Sequence, residues 1–548
     1  WGNFDLNWGR PLKSILAIFD NKTIEFNYHH LKSCNSTYLD KEFEDKKKTF
    51  KNFKSYNKYF KKSGIIIDQN LRKQFIEKKL IKIAEGKNLF LEIDNKLLDV
   101  VTNLVEYPNI LICKFDTKFL NIPKEILIIT MKHHQKYFHT FDKKGHITNQ
   151  FIVVANNKDS KGFIKSGNER VVEARLSDAQ FFWEKNKSQN LVKQITKLKM
   201  VNYFKGLGSY FDKTQRIRKL GGVISDELLI SKEKVEISSS ICKVDLISDL
   251  VGEFPELQGI MGGYFAEAQG FDKDISLAVR EHYLPVGLDS YTPKKPFSIA
   301  LALSDKLDTL VGFFGIEQRP TSSKDPYALR RVALGIIRLL IENNKNFKIK
   351  DLINYSIKLY QDQSFKFTNK LVEKEVADFL LERLKYYMKE KNIRADIIDA
   401  SLNSFGINEI TKIYKKSIVL NKFINKEIGN NIISSYKRAS NILEQESGDK
   451  ELEISNSVDP VLFKNEYEKN LYKKIHELRK YFTSINRDEN FDLTLKNLSE
   501  SKKVIYEFFD NVKVNDEDKT IQKNRLELLN MLCKTFDNYI IFSNIESL

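Results

Sequence analysis

Cysteine is sparse in this chain and long apolar runs are absent. Its four cysteines, Cys34, Cys113, Cys242 and Cys533, are widely separated among 548 residues. No CxxC pair occurs, which excludes a disulfide framework and fits a reducing, cytoplasmic setting. No stretch of about 18 apolar residues exists, so no membrane-spanning helix is expected. The longest apolar runs, such as Ile126–Met131, are strand-sized. The opening WGNFDLNWGR has neither the basic n-region nor the apolar h-region of a signal peptide. It also lacks an initiator Met and reads as a fragment or a processed product. Neither a GxxxxGK[ST] phosphate loop nor a Rossmann glycine fingerprint is present. No His-Asp dipeptide occurs anywhere.

What is present is charge. Hydrophobic residues make up 41% and charged residues 30%, the balance of a soluble globular protein. The length suffices for roughly three or four domains. The formal net charge of +17 is unevenly spread: +17 over residues 1–240, +5 over 241–440 and −5 over 441–548. Such an excess favours a polyanionic partner, because each Lys or Arg placed on a phosphate releases a counterion. A lysine-rich solubilising surface is the competing reading, and the abundance of Lys, Ile and Asn inflates the positive count.

Residues 1–45 read as short strands and turns. KKKTFKNFKSYNKYFKK (46–62) spaces its aromatics by three and four, which predicts an amphipathic helix with an aromatic stripe on the core and a solvated Lys face. Gly64–Ile67 reads as a short strand and Gln69–Ala84 as a helix. PKEILIITM and FIVVAN carry strand patterns, and FDKKGH between them carries turn chemistry. Ser166 and Glu169 have capping-box spacing before a helix. From about Leu191 onward the chain reads as helical. Glu444–Pro460 is polar and acidic, the best linker candidate.

Several motifs invite chemistry. In SSKDPYALRRVALGIIRLL, Asp325 suits an N-cap and Pro326 the first helical position. Arg331 and Arg338, seven apart, are expected to share a face beside free N–H groups, an arrangement that suits a phosphate. The alternative is pairing with carboxylates in a packed helical domain. Asp305 and Asp308 stand at i and i+3 on one helix face, with His282 upstream. Together they suggest a divalent metal, but a metal hydrolase needs more ligands, including an adjacent His-Asp pair. Pairing with Lys306 and the arginines is the plainer reading. His133, His134, His139 and His146 cluster without a nearby Cys, which disfavours zinc. Lys132 and Lys136 beside them are candidates for RNA contact. Glu253, Glu256 and Gln258 in EFPELQG are expected to serve packing or a subunit contact.

Longer strings carry a resemblance. VGEFPELQGIMGGYFA, EHYLP, ALSDKLDTLVGFFG and RPTSSKDPYALRR follow one another between Val251 and Arg331. Upstream lie Trp1-Gly2, Arg10-Pro11 with ILAIF, EYPNILICKFDTKFLNIPKEILIITMKHHQKYF, NQFIVVANN, GNERVVEARLSDAQFFW and LGSYFDK. Downstream lie FLLERLKYYMKEKNIRADIIDASL, YKRASNIL and the closing EFFDNVKVNDEDKTIQKNRLELLNMLCKTFDNYIIFSNI. In this order they resemble the beta subunit of the two-subunit bacterial glycyl-tRNA synthetase, with the usual N-terminal segment absent. The closing segment resembles the anticodon-binding helical domain shared with arginyl-tRNA synthetase. Ser322 stands where the family has Gly, Gln522 where it has Arg, and VKVN replaces a more apolar pattern.

The resemblance implies an α+β multidomain fold: a mixed, β-rich N-terminal body, then a helical HD-like domain and a C-terminal helical anticodon-binding-like bundle. The expected divisions are a body at 1–165, a helical connection at 166–238, an HD-like domain at 239–345, a helical linker domain at 346–443 and the anticodon-binding domain at 444–548. It implies a glycine-tRNA ligase subunit that binds and positions tRNA(Gly), without catalytic or metal-ligating residues of its own. The alpha subunit, in an α2β2 heterotetramer, would use ATP and Mg²⁺ to form glycyl-adenylate. No HIGH or KMSKS string and no arginine-bearing class II motif occurs here. The residues expected to meet tRNA are Lys324, Arg330, Arg331, Arg338, Lys132, Lys136, Lys523 and Arg525. The alternatives are a stand-alone RNA-binding or scaffold protein and an HD-type metal phosphohydrolase.

Overall fold

The computed structural model describes residues 6–7, 9, 12–41, 44–402, 406–447, 457–484, 491–537 and 542–546. Trp1-Gly2, Arg10-Pro11 and most of the expected linker, residues 448–456, lie outside the described residues. The architecture is α+β. Two compact units divide the chain: residues 1–186 with 252–257, and residues 187–251 with 258–548.

The first unit is built on a three-stranded antiparallel sheet. Ile147–Ala155 is its central strand, flanked by Asn109–Lys114 and Phe138–Phe141. FIVVAN thus forms a strand as its alternation predicts, and the DKKG segment turns the hairpin, with Asp142 N–H donating to the His146 carbonyl at 2.8 Å. Helices Gln69–Glu85 and Asn95–Leu104 bury Ile76, Leu80, Leu98 and Val101 with Phe138 and Ile152 of the sheet. Asp68 and Asp94 cap their first turns.

Four local expectations need correction. PKEILIITM is no strand: Lys124–Ile129 is α-helical and Thr130–His134 continues as a π-turn. A short apolar run cannot distinguish a strand from a buried helical turn, and Ile126, Leu127 and Met131 are buried in the helical form. KKKTFKNFKSYNKYFKK is only half helix. Its first residues belong to the strand Glu44–Thr49, and Asn52 caps the helix Phe53–Lys62. Most of the aromatic stripe packs as expected, with Phe50 against Tyr56, Tyr59 and Phe60, but Phe53 is exposed. Gly64–Ile67 forms no strand. Ser166 is no N-cap either: the helix Phe163–Lys187 begins earlier, and Asp159 accepts from Ile164 N–H and Lys165 N–H at 3.0 and 2.9 Å. Glu169 instead accepts from the Lys114 N–H of the neighbouring strand at 2.8 Å.

The second unit is helical apart from a small hairpin, Asn202–Phe204 with Gly208–Ser209. Ser209 and Asp212 form a capping box that opens the helix Tyr210–Leu228. Gly221 lies inside that helix, where a Cβ would stand 2.9 Å from Val235 of the next helix, Lys232–Ile241. The absence of a side chain thus permits close helix packing. The central element is the helix Pro296–Gly315, with Pro at its first turn and almost every residue buried. Leu329–Glu342, Ile349–Asp362 and Val372–Glu390 pack around it through Leu303, Leu310, Ile336, Leu340, Leu359 and Leu380.

The C-terminal bundle comprises Glu427–Ser447, Glu466–Ser484, Phe491–Glu500, Lys502–Asn511 and Lys519–Asp537. The first of these helices extends through residues 444–447 of the expected linker. Near the end of the chain, Glu546 N–H donates to Asp396 Oδ2 and the Glu546 carbonyl accepts from Arg394 Nη2, each at 2.8 Å. The helix Phe163–Lys187 runs through the expected division at 165/166, and Lys232–Ile241 through that at 238/239. Among the described residues, no helix is long and apolar enough to cross a membrane.

Candidate functional site

The second unit carries a buried cluster of charges beside a cavity. The helix Tyr210–Leu228 supplies Lys213 and Arg216, and the helix Pro296–Gly315 supplies Asp305, Lys306 and Asp308. Lys243 follows the helix Lys232–Ile241, and His282 follows Lys273–Glu281. All of these side chains are buried.

Asp308 is clamped by two cations. Its Oδ1 accepts from Arg216 Nε at 2.6 Å, and its Oδ2 accepts from Lys213 Nζ at 3.0 Å. The Arg216 guanidinium also lies 3.8 Å from the centre of the Tyr360 ring. Asp305 binds the other lysine: its Oδ2 accepts from Lys243 Nζ at 2.9 Å. Its Oδ1 makes an ion-pair contact with Lys213 Nζ at 2.9 Å but receives no hydrogen bond among the described residues. Burial pushes the Asp305 carboxyl up, yet Lys213 and Lys243 outweigh it and hold the group well below the usual carboxylate range.

Asp305 and Asp308 therefore share a helix face, as their spacing predicts, but that face meets lysine and arginine. Their partners are not Lys306 as expected. Lys306 lies on the same helix and donates to the Tyr283 carbonyl at 2.8 Å, with the His282 carbonyl at 3.5 Å. No carboxylate pairs with it among the described residues, and burial pushes its ammonium down to about 7. Gly335 makes room for its stem, since a Cβ there would stand 2.6 Å from Lys306 Cε.

His282 is likewise committed. Its Nδ1–H donates to the Val279 carbonyl at 2.6 Å, and its Nε2 lies 2.9 Å from Lys243 Nζ. Among the described residues, no group of three or more His, Cys, Asp and Glu side chains could hold a metal. The other histidines do not converge. His133 faces Glu256 at 3.3 Å, His146 faces Asp142 at 3.3 Å, and His134 packs on the Phe254 ring.

The cavity beside this cluster has a volume of about 390 Å³. Lys213, Lys243, Asp305 and Lys306 form its charged floor, Tyr203, Phe313 and Tyr327 line it with rings, and Arg331 stands on its lining. Tyr327 stacks on Phe313 with centroids 4.6 Å apart.

The positions expected to meet RNA divide sharply. Arg331 is exposed and its guanidinium has no partner among the described residues, whereas Arg338 is buried and donates to Glu342, to the Ser290 carbonyl at 2.8 Å and to the Gly287 carbonyl. The two do not share a solvent face, because the helix turns Arg338 onto the 287–290 loop. The helix starts at Leu329, after Ala328 in the left-handed region at φ 56°, so Pro326 is not its first residue. Asp325 accepts from Leu329 N–H and Arg330 N–H at 2.8 and 3.0 Å. That helix end already holds a carboxylate, which removes the free N–H groups expected for a phosphate. Lys324 is exposed, and Arg330 donates to the Thr321 carbonyl.

Lys132 pairs with Asp94, while Lys136 is exposed and donates to the His133 carbonyl at 2.6 Å. In the bundle, Lys523 is exposed, but Arg525 is buried between Glu468 at 2.6 Å and Asp516 at 2.7 Å. Gln522 donates to Asn515 at 2.7 Å and to Glu446 at 3.1 Å. In EFPELQG, Glu253 pairs with Arg175 at 3.3 Å, and Gln258 lines the cavity. Lys213, Arg216 and Lys243 had escaped sequence reasoning. Their signal was the i, i+3 placement of Lys213 and Arg216 on the face that also carries Ile217 and Leu220.

Comparison with known proteins places this geometry. Residues 432–546 match the DALR anticodon binding domain. Together with the longer match that precedes it, over residues 1–403, this puts the chain among the aminoacyl-tRNA synthetases. Residues 1–403 match the glycyl-tRNA synthetase beta subunit model, and the chain belongs to that family. The glycine–tRNA ligase beta subunit of Rickettsia canadensis is 36% identical, and those of Rickettsia conorii and Rickettsia africae are each 37% identical. Each of these alignments spans the whole chain and 79% of the relative.

Proposed function

We propose that this chain binds tRNA(Gly) and positions it for an alpha subunit, which transfers glycine from glycyl-adenylate. The reaction is ATP + glycine + tRNA(Gly) → glycyl-tRNA(Gly) + AMP + diphosphate. The observation that carries this reading is the order of two matched segments along one chain, a beta-subunit segment at 1–403 followed by an anticodon-binding segment at 432–546. A subunit of this kind contributes by orientation. Holding the terminal ribose of tRNA beside the adenylate converts an encounter into an effectively intramolecular transfer. ATP and Mg²⁺ belong to the alpha subunit in this division of labour, the assembly is an α2β2 heterotetramer, and its setting is the cytoplasm. Of the residues expected to meet tRNA, Lys324, Arg331, Lys136 and Lys523 are exposed and available for phosphate contact.

The test is co-expression with the cognate alpha subunit and an assay of tRNA(Gly) charging. Charging is expected only when both chains are present. Glycine activation by this chain alone would overturn the division of labour. A pair that forms glycyl-adenylate but binds no tRNA(Gly) would overturn the positioning role.

A further inference from the structure

The cavity beside the buried charge cluster holds more positive charge than its own carboxylates neutralise. Lys213, Arg216 and Lys243 face Asp305 and Asp308, and buried Asp245 acts on Lys243 as a third carboxylate, so the cluster itself balances. Arg331 adds an unbalanced positive charge at the lining, with no partner among the described residues. Lys306 adds a second whenever it is protonated, and it is held only by backbone carbonyls. A buried ammonium without a counter-charge is costly, so the site is short of an anion. A phosphate monoester, carrying about −1.5 to −2 near pH 7, matches that surplus.

The rest of the lining narrows the ligand. Tyr203, Phe313 and Tyr327 form a linked set of rings, with Tyr203 and Phe313 centroids 6.1 Å apart and Phe313 stacked on Tyr327. Such a wall accepts a planar base through its π-face. At about 390 Å³ the cavity is of the size that encloses one small organic ligand.

We propose that this cavity is a nucleotide-binding site, taking the phosphate on Lys306 and Arg331 and the base against Phe313 and Tyr327. The ligand is a nucleotide phosphate, either free or at the end of an RNA strand. The site involves binding only and no bond is broken.

The experiment is titration calorimetry on the full chain with AMP, adenosine, inorganic phosphate and a short 5′-phosphorylated oligonucleotide. AMP is expected to bind saturably and more tightly than either adenosine or phosphate. Arg331→Gln, at an exposed position, is expected to weaken AMP about tenfold, the loss of one charge-assisted contact. Tyr327→Leu is expected to weaken AMP while leaving phosphate unchanged. Oligonucleotide binding that AMP displaces assigns the site to a strand end, and AMP binding alone assigns it to a free nucleotide. Absence of saturable binding by both AMP and the oligonucleotide overturns the proposal. So does AMP or oligonucleotide binding that Arg331→Gln leaves unchanged, or phosphate binding as tight as that of AMP.

Discussion

The Lys243 ammonium lies 2.9 Å from Nε2 of His282. An ammonium has only donors, so that ring nitrogen must be the acceptor and His282 must be neutral. Its lone pair is thereby unavailable to a metal, which removes His282 from any ligand set together with the lysine-bound Asp305.

This contact sets a pH dependence. Burial first, and Lys243 second, hold the His282 imidazole well below its usual value of 6.5. The unfolded chain therefore binds a proton below about pH 6.5 that the folded chain refuses, and stability is lost as pH falls. His282→Gln is expected to reduce this loss by up to about 1.4 kcal/mol per pH unit. Urea midpoints of wild type and variant between pH 5 and 7 provide the comparison. Parallel curves would contradict the neutral assignment.

Lys306 works in a second window. Its folded value of about 7 lies below the ordinary 10.5. Between these values the unfolded chain carries the extra proton, so the Lys306 contribution improves as pH rises. Lys306→Met should stabilise the chain at pH 7 by on the order of 2–4 kcal/mol, with the gain shrinking towards pH 10. A variant less stable than wild type at pH 7, by thermal or urea unfolding, refutes this.

Asp308 is the keystone of the cluster, since both Lys213 and Arg216 close on it. Asp308→Ala strands the buried Arg216, leaves Lys213 only Asp305, and should cost roughly 3–5 kcal/mol. A denaturation midpoint close to that of wild type would show that the cations relax to other partners.

Adjacent residues in the bundle should behave oppositely. Arg525→Gln breaks the buried pair with Glu468 and should lower the melting temperature before it affects RNA. Lys523→Gln should leave melting unchanged and, if the residue meets a phosphate, reduce the salt slope of tRNA(Gly) affinity by about one. A melting shift from Lys523→Gln larger than that from Arg525→Gln would reverse the assignment.

Periodicity made much of the scaffold legible. The helix Gln69–Glu85 and the strand through FIVVAN follow from apolar spacing, and the Asp305–Asp308 face follows from i, i+3 geometry. The rest depended on partners distant in sequence. Lys213 and Arg216 look like surface residues because Lys and Arg usually are, and only carboxylates 92 and 95 residues away reverse that. Ser166 and Glu169 mimicked a capping box, but Glu169 is taken by a strand N–H 55 residues away. Arg331 and Arg338 are equally basic in the sequence, and the 287–290 loop distinguishes them.

The hold of Arg394 and Asp396 on Glu546 uses only the backbone atoms of that residue. This joint is blind to side-chain identity and strict about path length. Exchanging Glu546 for Ala or Gln leaves both bonds available, whereas Pro deletes the N–H donor. An insertion or deletion between Phe542 and Glu546 shifts the gripped peptide relative to the turn at Phe542–Asn544. Arg394 and Asp396, at the start of the helix Ala395–Leu402, thus read the position of the peptide at Glu546 rather than its composition.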